Sequence, residues 1–124
     1  MSEQIRVLVV DDRPRTRQSL KTLLATCPQV KEIKEAALAR EAVREMQESP
    51  SDVVLMDVRM PEMNGLQATQ LIKATWPQVK VIVLTLYAEY AAEAQAAGAD
   101  AFVCKGEPTE KLLTALTEVT SVRQ

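Results

Sequence analysis

Five short apolar runs, separated by five stretches of helical periodicity, constrain this chain more than any other feature. The runs are "IRVLVV" (5–10), "VKEIKEA" (30–36), "DVVLMD" (52–57), "VKVIVLT" (79–85) and "AFVCK" (101–105). Four of them are rich in Val, Ile and Leu and apolar on both faces, as strands are when helices cover both sides of a parallel sheet. The run at 30–36 alternates instead, which marks an edge strand. Between the runs, Pro14 suits a first helical turn, and Leu20, Leu23, Leu24 and Cys27 recur at helical spacing until Pro28 ends the segment. Residues 39–48 put Ala42, Val43 and Met46 on one face before Ser49-Pro50 stops them. Asn64 is an N-cap for a third helix reaching Thr75, because Trp76 precedes Pro77 and is pushed out of helix. A fourth, over 88–97, ends at Gly98 as a left-handed cap, and a fifth starts near Pro108 and carries Leu112, Leu113, Leu116 and Val119. This β-α alternation, five times over, predicts one parallel sheet with right-handed crossovers and helices on both faces.

Composition narrows the function. A chain of 124 residues is most simply one domain with a real core. A net charge of -2 gives no electrostatic reason for direct binding to nucleic acid or anionic lipid, and one Trp with two Tyr makes no base-stacking platform. No apolar run approaches the roughly 20 residues of a membrane span. The run in "MSEQIRVLVV" is too short for a signal core and meets two aspartates at once, so the chain is expected in the cytoplasm. Cys27 and Cys104 match no metal spacing and are expected as buried, reduced thiols. The sequence has no histidine, so it has no imidazole base, ligand or phosphocarrier of its own. Any metal would be held by oxygen, which points to a hard ion such as Mg²⁺.

Ligands of open α/β sheets bind beyond the carboxyl ends of the strands. The first run ends in Asp11-Asp12, the third in Asp57, the fourth in Thr85 and the fifth in Lys105. Taken singly, each has an ordinary explanation: Asp11-Asp12 as helix caps, Asp57 as a turn residue, Lys105 as a solvated lysine, Thr85 as a strand end. Taken together, they bring three acids, a hydroxyl and an ammonium to one sheet edge. Three close carboxylates repel and raise one another's pKa unless a cation sits among them. One Mg²⁺, a lysine and a hydroxyl make a pocket for a phosphoryl group, and one carboxylate can act as nucleophile to form an acyl phosphate.

The segments "VLVVDD", "DVVLMDVRMPEMNG", "VIVLT" and "AGADAFVCK" resemble, over essentially the whole chain, the CheY-like receiver domain of bacterial two-component response regulators. The resemblance implies a flavodoxin-like (βα)5 fold with strand order 2-1-3-4-5, and a single receiver domain over 1–124 with no effector domain in these residues. It implies that Asp57 takes a phosphoryl group from the phosphohistidine of a sensor kinase. Mg²⁺ would be held by Asp11, Asp12, Asp57 and the backbone carbonyl of Arg59. Lys105 would pair with the phosphoryl oxygens, Thr85 would hydrogen-bond one of them, and Phe102 matches the aromatic that changes rotamer with Thr85. Arg59 and Tyr87, two residues beyond Asp57 and Thr85, occupy positions that flank the attacking water and would tune autodephosphorylation, although exposed surface side chains are the plain alternative. The segment "VCKGEPTEKLLTAL", with Gly106 where many receivers have proline, is similar to receivers that precede a LuxR/NarL-type DNA-binding domain. The implied output is therefore transcription, through a switch of the surface made by the fourth helix, fifth strand and fifth helix, with homodimerisation as a further family expectation.

Three other readings compete. A stand-alone receiver would act by protein–protein contact alone. A Mg²⁺-dependent aspartyl phosphohydrolase of haloacid dehalogenase type would keep a second Asp two residues after the nucleophile, where this chain has Arg59. A flavodoxin-type flavin carrier would want a hydroxyl- and glycine-rich loop after the first strand, and the chain has "DDRPRTR". The expected chemistry is therefore that of a switch that assists its own phosphorylation rather than of an enzyme.

Overall fold

The alternation of side chains along each strand decides how the molecule layers. In the computed structural model, which describes residues 4–120, β1 (Ile5–Val10) sends Val7 and Val9 to one face and Leu8 and Val10 to the other. The same division runs through β3 (Val53–Met56) and β4 (Lys80–Thr85). One face packs against α1 (Pro14–Leu24) and α5 (Thr109–Thr120), with Leu24, Leu112, Leu116 and Val119 buried there. The other packs against α2 (Ala39–Glu48), α3 (Gly65–Thr75) and α4 (Ala91–Ala96), through Ala42, Met46, Ala68, Ile72 and Ala94. Burial on this scale stabilises by about 1.5–3 kcal/mol for each large apolar side chain. With β2 (Val30–Ala36) and β5 (Ala101–Cys104), the strands form one parallel sheet in the order β2-β1-β3-β4-β5. That is the flavodoxin-like order expected from the sequence.

Register levels the carboxyl ends. Val10 lies beside Met56, and Met56 beside Val83. Backbone hydrogen bonds then carry the ladder one residue past the strands: Asp11 N–H to the Ala36 carbonyl at 3.1 Å, Asp57 N–H to Val10 at 3.0 Å, Lys105 N–H to Thr85 at 2.7 Å. Three of the site residues are thus fixed by main-chain bonds before any side chain is considered.

The helix boundaries follow local chemistry. Helix α2 spans the expected residues, and α3 starts behind Asn64, whose side chain accepts from the N–H groups of Leu66 and Gln67 while Gln67 returns a bond to the Asn64 N–H. Trp76 leaves the helix as its C-cap at φ -128°, and Gly98 adopts φ 101° after α4.

Several expectations need correction. Helix α1 stops at Leu24, well short of Pro28, because Thr26 and Cys27 bond back to carbonyls three residues earlier and tighten the chain out of the α-helix. The first turn of the fourth helical segment, Ala88–Tyr90, is 3-10 rather than α. β5 is a second edge strand and only Val103 in it is buried, so it is not covered on both faces. On α5 the buried stripe takes Ala115, and Leu113 is left half-exposed. Cys27 and Cys104 are free thiols but only half-buried. The polar "SVRQ" end lies outside the described residues. No helix among the described residues is long and apolar enough to cross a membrane.

Asn64→Ala removes the side-chain acceptor of the Leu66 and Gln67 N–H groups, keeps the backbone N–H that Gln67 accepts from, and is expected to cost about 1 kcal/mol in urea denaturation, whereas Asn64→Gly costs only a few tenths.

Candidate functional site: an acidic pocket at the carboxyl edge of the sheet

The loop after β1 turns at once because Asp11 folds onto its own backbone: Oδ1 accepts from the Arg13 N–H at 2.9 Å. Asp11 is therefore partly the local capping residue its plain reading suggests. Its other oxygen does something different, accepting from the Lys105 ammonium at 2.6 Å across 94 residues of sequence. The same ammonium lies 3.5 Å from Oδ1 of Asp57. Both acids are buried, 1% exposed for Asp11 and 7% for Asp57, so this lysine has little solvent to compete with. Asp12 is half-buried beside them.

One oxygen from each of Asp11, Asp12 and Asp57 lies within 4.8 Å of the other two, a metal-competent carboxylate group among the described residues. Oxygens around Mg²⁺ sit about 2.0–2.1 Å from the ion and hence up to about 4.2 Å apart, so the trio fits such an ion after small shifts. The electrostatics agree. Burial pushes the Asp57 carboxyl above its usual range; the Lys105 ammonium pulls it back, and the Asp11 carboxylate adds to the push. The Val58 N–H also holds Asp57 Oδ1, at 2.9 Å. Lysine alone leaves the cluster short of positive charge, which a hard cation would supply.

The loop from Asp57 to α3 is held from below. A Cβ on Gly65 would lie 1.7 Å from the Asp57 carbonyl oxygen and 2.9 Å from Met56 Cγ, so only glycine lets the helix start this close to the acid. The Gly65 N–H also donates to the Val58 carbonyl at 2.8 Å. Glu62 takes φ 73° between Pro61 and Met63, a left-handed turn unusual for a residue with a side chain. On the other flank, the Arg17 guanidinium donates to the Asp11 carbonyl at 2.7 Å and to Glu35 at 2.9 Å. Lys21 and then Arg17 hold Glu35 below the ordinary carboxylate range. Neither Gly65 nor Arg17 was singled out from sequence. The glycine could have been, since it closes the loop before a capped helix.

Thr85 is buried at the end of β4, and its hydroxyl accepts from the Tyr87 N–H at 3.4 Å. No hydrogen bond joins it to the carboxylates among the described residues. Phe102 is half-buried and packs against the core under α2, α3 and α4. Arg59 is exposed, and its guanidinium stacks 4.3 Å from the centre of the Tyr87 ring. Its Nε–H also donates to the Tyr90 hydroxyl at 3.4 Å, and the two tyrosine rings meet edge to face at 6.2 Å. Arg59 and Tyr87 are therefore neighbours rather than independent residues, and Tyr90 is a third member that spacing did not reveal.

Chemically, the edge offers a buried, poorly neutralised carboxylate beside an ammonium and room for a cation. Residues 7–117 match the response regulator receiver domain family. The chain is 36% identical over 111 residues to the uncharacterized transcriptional regulatory protein YhcZ of Bacillus subtilis, covering 88% of this chain and 52% of that one. It spans about half the length of the curated relatives it matches first. A two-component response regulator of the LuxR family from an Aurantimonas species superposes with a TM-score of 0.91 at 29% identity, covering 98% of this chain and 89% of that chain. The response regulator TrrA of Thermotoga maritima, solved in complex with Mg²⁺ and BeF, gives 0.85 at 31% identity, covering 92% and 97%. A parallel sheet in the order 2-1-3-4-5, with three acids and a lysine at its carboxyl edge, is thus accompanied by likeness along the chain, and the protein belongs to the response regulator receiver domain family.

Proposed function

We propose that this receiver accepts a phosphoryl group on Asp57 from the phosphohistidine of a sensor kinase in the cytoplasm. The observation that carries the reading is the convergence of Asp11, Asp12, Asp57 and Lys105 at one edge of the sheet. In the transfer the donor's N–P bond breaks and a bond from phosphorus to an Asp57 carboxylate oxygen forms. Asp11, Asp12, Asp57 and the Arg59 backbone carbonyl would hold Mg²⁺, which supplies charge neutralisation for the entering phosphoryl group. The TrrA complex with Mg²⁺ and BeF supports this choice of ion by analogy. Lys105, already 3.5 Å from Asp57, exchanges its carboxylate partner for a phosphoryl oxygen.

The switch follows from charge. Phosphorylation adds about -1.5 to -2 charge and three acceptor oxygens. Thr85 exchanges its weak 3.4 Å bond with the Tyr87 N–H for one of those oxygens, and Phe102 repacks in the space the threonine leaves. That differential interaction biases the surface of α4, β5 and α5 between two states. The LuxR-family neighbour and the regulator YhcZ support transcription as the output, through a DNA-binding domain of LuxR/NarL type and with homodimerisation on phosphorylation. Arg59 and Tyr87, at the mouth of the site, tune how fast water removes the group, so the receiver assists its own phosphorylation and dephosphorylation.

Acetyl phosphate with Mg²⁺ is expected to give a phosphorylated protein by intact mass, with none in EDTA and none for Asp57→Asn. An adduct that survives Asp57→Asn unchanged would reject the acceptor. Arg59→Ala with Tyr87→Ala is expected to change the phosphoryl half-life severalfold; an unchanged half-life removes both residues from that role.

The raised Asp57 carboxyl also links to stability. The folded state binds this proton more tightly than the unfolded chain, whose value is near 3.8. Ionised Asp57 therefore costs stability above its raised value, and the cost fades as pH falls towards the ordinary carboxylate range. Without metal, Asp57→Asn is expected to raise the thermal midpoint by a few degrees at pH 7, with the gain shrinking in acid. Mg²⁺ should stabilise the parent protein and not the variant. Equal midpoints at pH 7 would contradict this account of the site.

A further inference from the structure

Arg59 belongs to the loop that follows Asp57, yet its side chain does not serve that loop. Its charged and polar neighbours are Tyr90, Tyr87 and Glu89, all in the segment that follows Thr85. The guanidinium lies over the Tyr87 ring at 4.3 Å, and its Nε–H reaches the Tyr90 hydroxyl at 3.4 Å. That bond is the one hydrogen bond joining the acceptor loop to the segment 85–90 among the described residues. Tyr90 is itself anchored, since its ring packs against the core under α2, α3 and α4. The acceptor loop and the segment after β4 are thus fastened together by one arginine.

We propose that Tyr90 is a positioning residue for the acceptor site: with Tyr87 it clasps Arg59 to the segment after β4 and thereby opposes the phosphorylated state. The inference rests on the reading of Asp57 as phosphoacceptor.

The reason is competition for one guanidinium. Consecutive Cα atoms are about 3.8 Å apart, so the Arg59 backbone lies within about 7.6 Å of Asp57 across the bend at Val58, a span its long side chain can cover by turning from the tyrosines to a phosphoryl group. A hydrogen bond of 3.4 Å is long beside the usual 2.9 Å, and a cation–π contact at an exposed site is weak. The bond to Tyr90 is charged on the donor side only, whereas a bond to a phosphoryl oxygen pairs opposite charges and can be bidentate. Arg59 therefore leaves the tyrosines when the group arrives. Thr85 turns to the phosphoryl group at the same moment and releases the Tyr87 N–H it now holds, which loosens the Tyr87 side of the clasp. A clasp that must open first lowers the apparent affinity of the site for the phosphoryl group. Loosening it without touching Arg59 makes the phosphorylated state easier to reach.

Beryllofluoride titration at fixed Mg²⁺, read by ¹⁹F NMR, tests this. Tyr90→Phe removes only the hydroxyl and keeps the packed ring. Its half-saturating beryllofluoride concentration is expected to fall about two- to fivefold relative to the parent. In an Arg59→Ala background the same change is expected to have no effect, because there is nothing left to clasp. A Tyr90→Phe protein that binds like its parent, or a shift that persists without Arg59, overturns the inference and leaves Asp57 as acceptor. A parent that forms no Mg²⁺-dependent adduct sinks both readings, which keeps the two failures distinct.

Discussion

Three carboxylates crowded at the end of a sheet repel one another, and much of the structure around them restrains that repulsion. Lys105 donates to Asp11 and approaches Asp57, bridging the first and fifth strands. It does so from a position that its own N–H fixes on the Thr85 carbonyl. Burial raises the cost further, because a buried ionised Asp57 has lost water that a single ammonium does not replace. The arrangement is electrostatically unfinished, and that incompleteness is what would let it take up a cation or, on the proposed reading, a phosphoryl group.

Such tension needs a rigid frame. The frame is supplied by two apolar layers whose largest members, including Leu8, Leu55, Met56 and Ile82, are almost wholly removed from solvent. Asp11 and Asp57 sit one residue beyond their strands, on the last ladder bonds, where the backbone is still held but the side chains leave the apolar layers. Gly65 and Arg17 extend the frame into the loops. One lets α3 start against the Asp57 carbonyl, and the other ties the Asp11 carbonyl to Glu35 on the edge strand. Neither touches the reacting oxygens, yet both set where those oxygens stand.

How much of this was legible in the sequence divides along the range of the interactions. The parallel sheet was readable because runs of Val, Ile and Leu report burial on both faces without reference to anything distant. The start of α3 was readable because Asn64 is a strong N-cap residue at its head, while its Gln67 partner in the capping box went unread. The edge on which Asp11, Asp57, Thr85 and Lys105 meet followed from topology, since parallel strands end on one side. The end of α1 was misjudged because Pro28 is a strong stop, while the real stop is a tightened turn made by ordinary backbone bonds. The half-exposure of β5 was missed because its apolar run was read as covered on both faces, although the order 2-1-3-4-5 implied by the resemblance already puts that strand outermost. Arg59 and Tyr90 stand 31 residues apart with no periodicity relating them, so their contact needed coordinates.

The stretch "DVRMPEMNG" shows how local and distant constraints meet. Each of its residues with an assigned place answers to a different partner: Asp57 to Lys105, Val58 to the Gly65 N–H, Glu62 to Arg40, Asn64 to Gln67. Arg59 answers to the far side of the sheet edge. A loop bound in so many directions does not move freely, so on the proposed reading a new charge on Asp57 would be resolved by exchanging partners rather than by bending the loop. The partners with the weakest present bonds exchange first. Those are Thr85, whose hydroxyl holds an N–H at 3.4 Å, and Arg59, whose grip on Tyr90 is equally long. Both lead into the segment that opens the fourth helix, so the proposed switch would reach that surface by two routes.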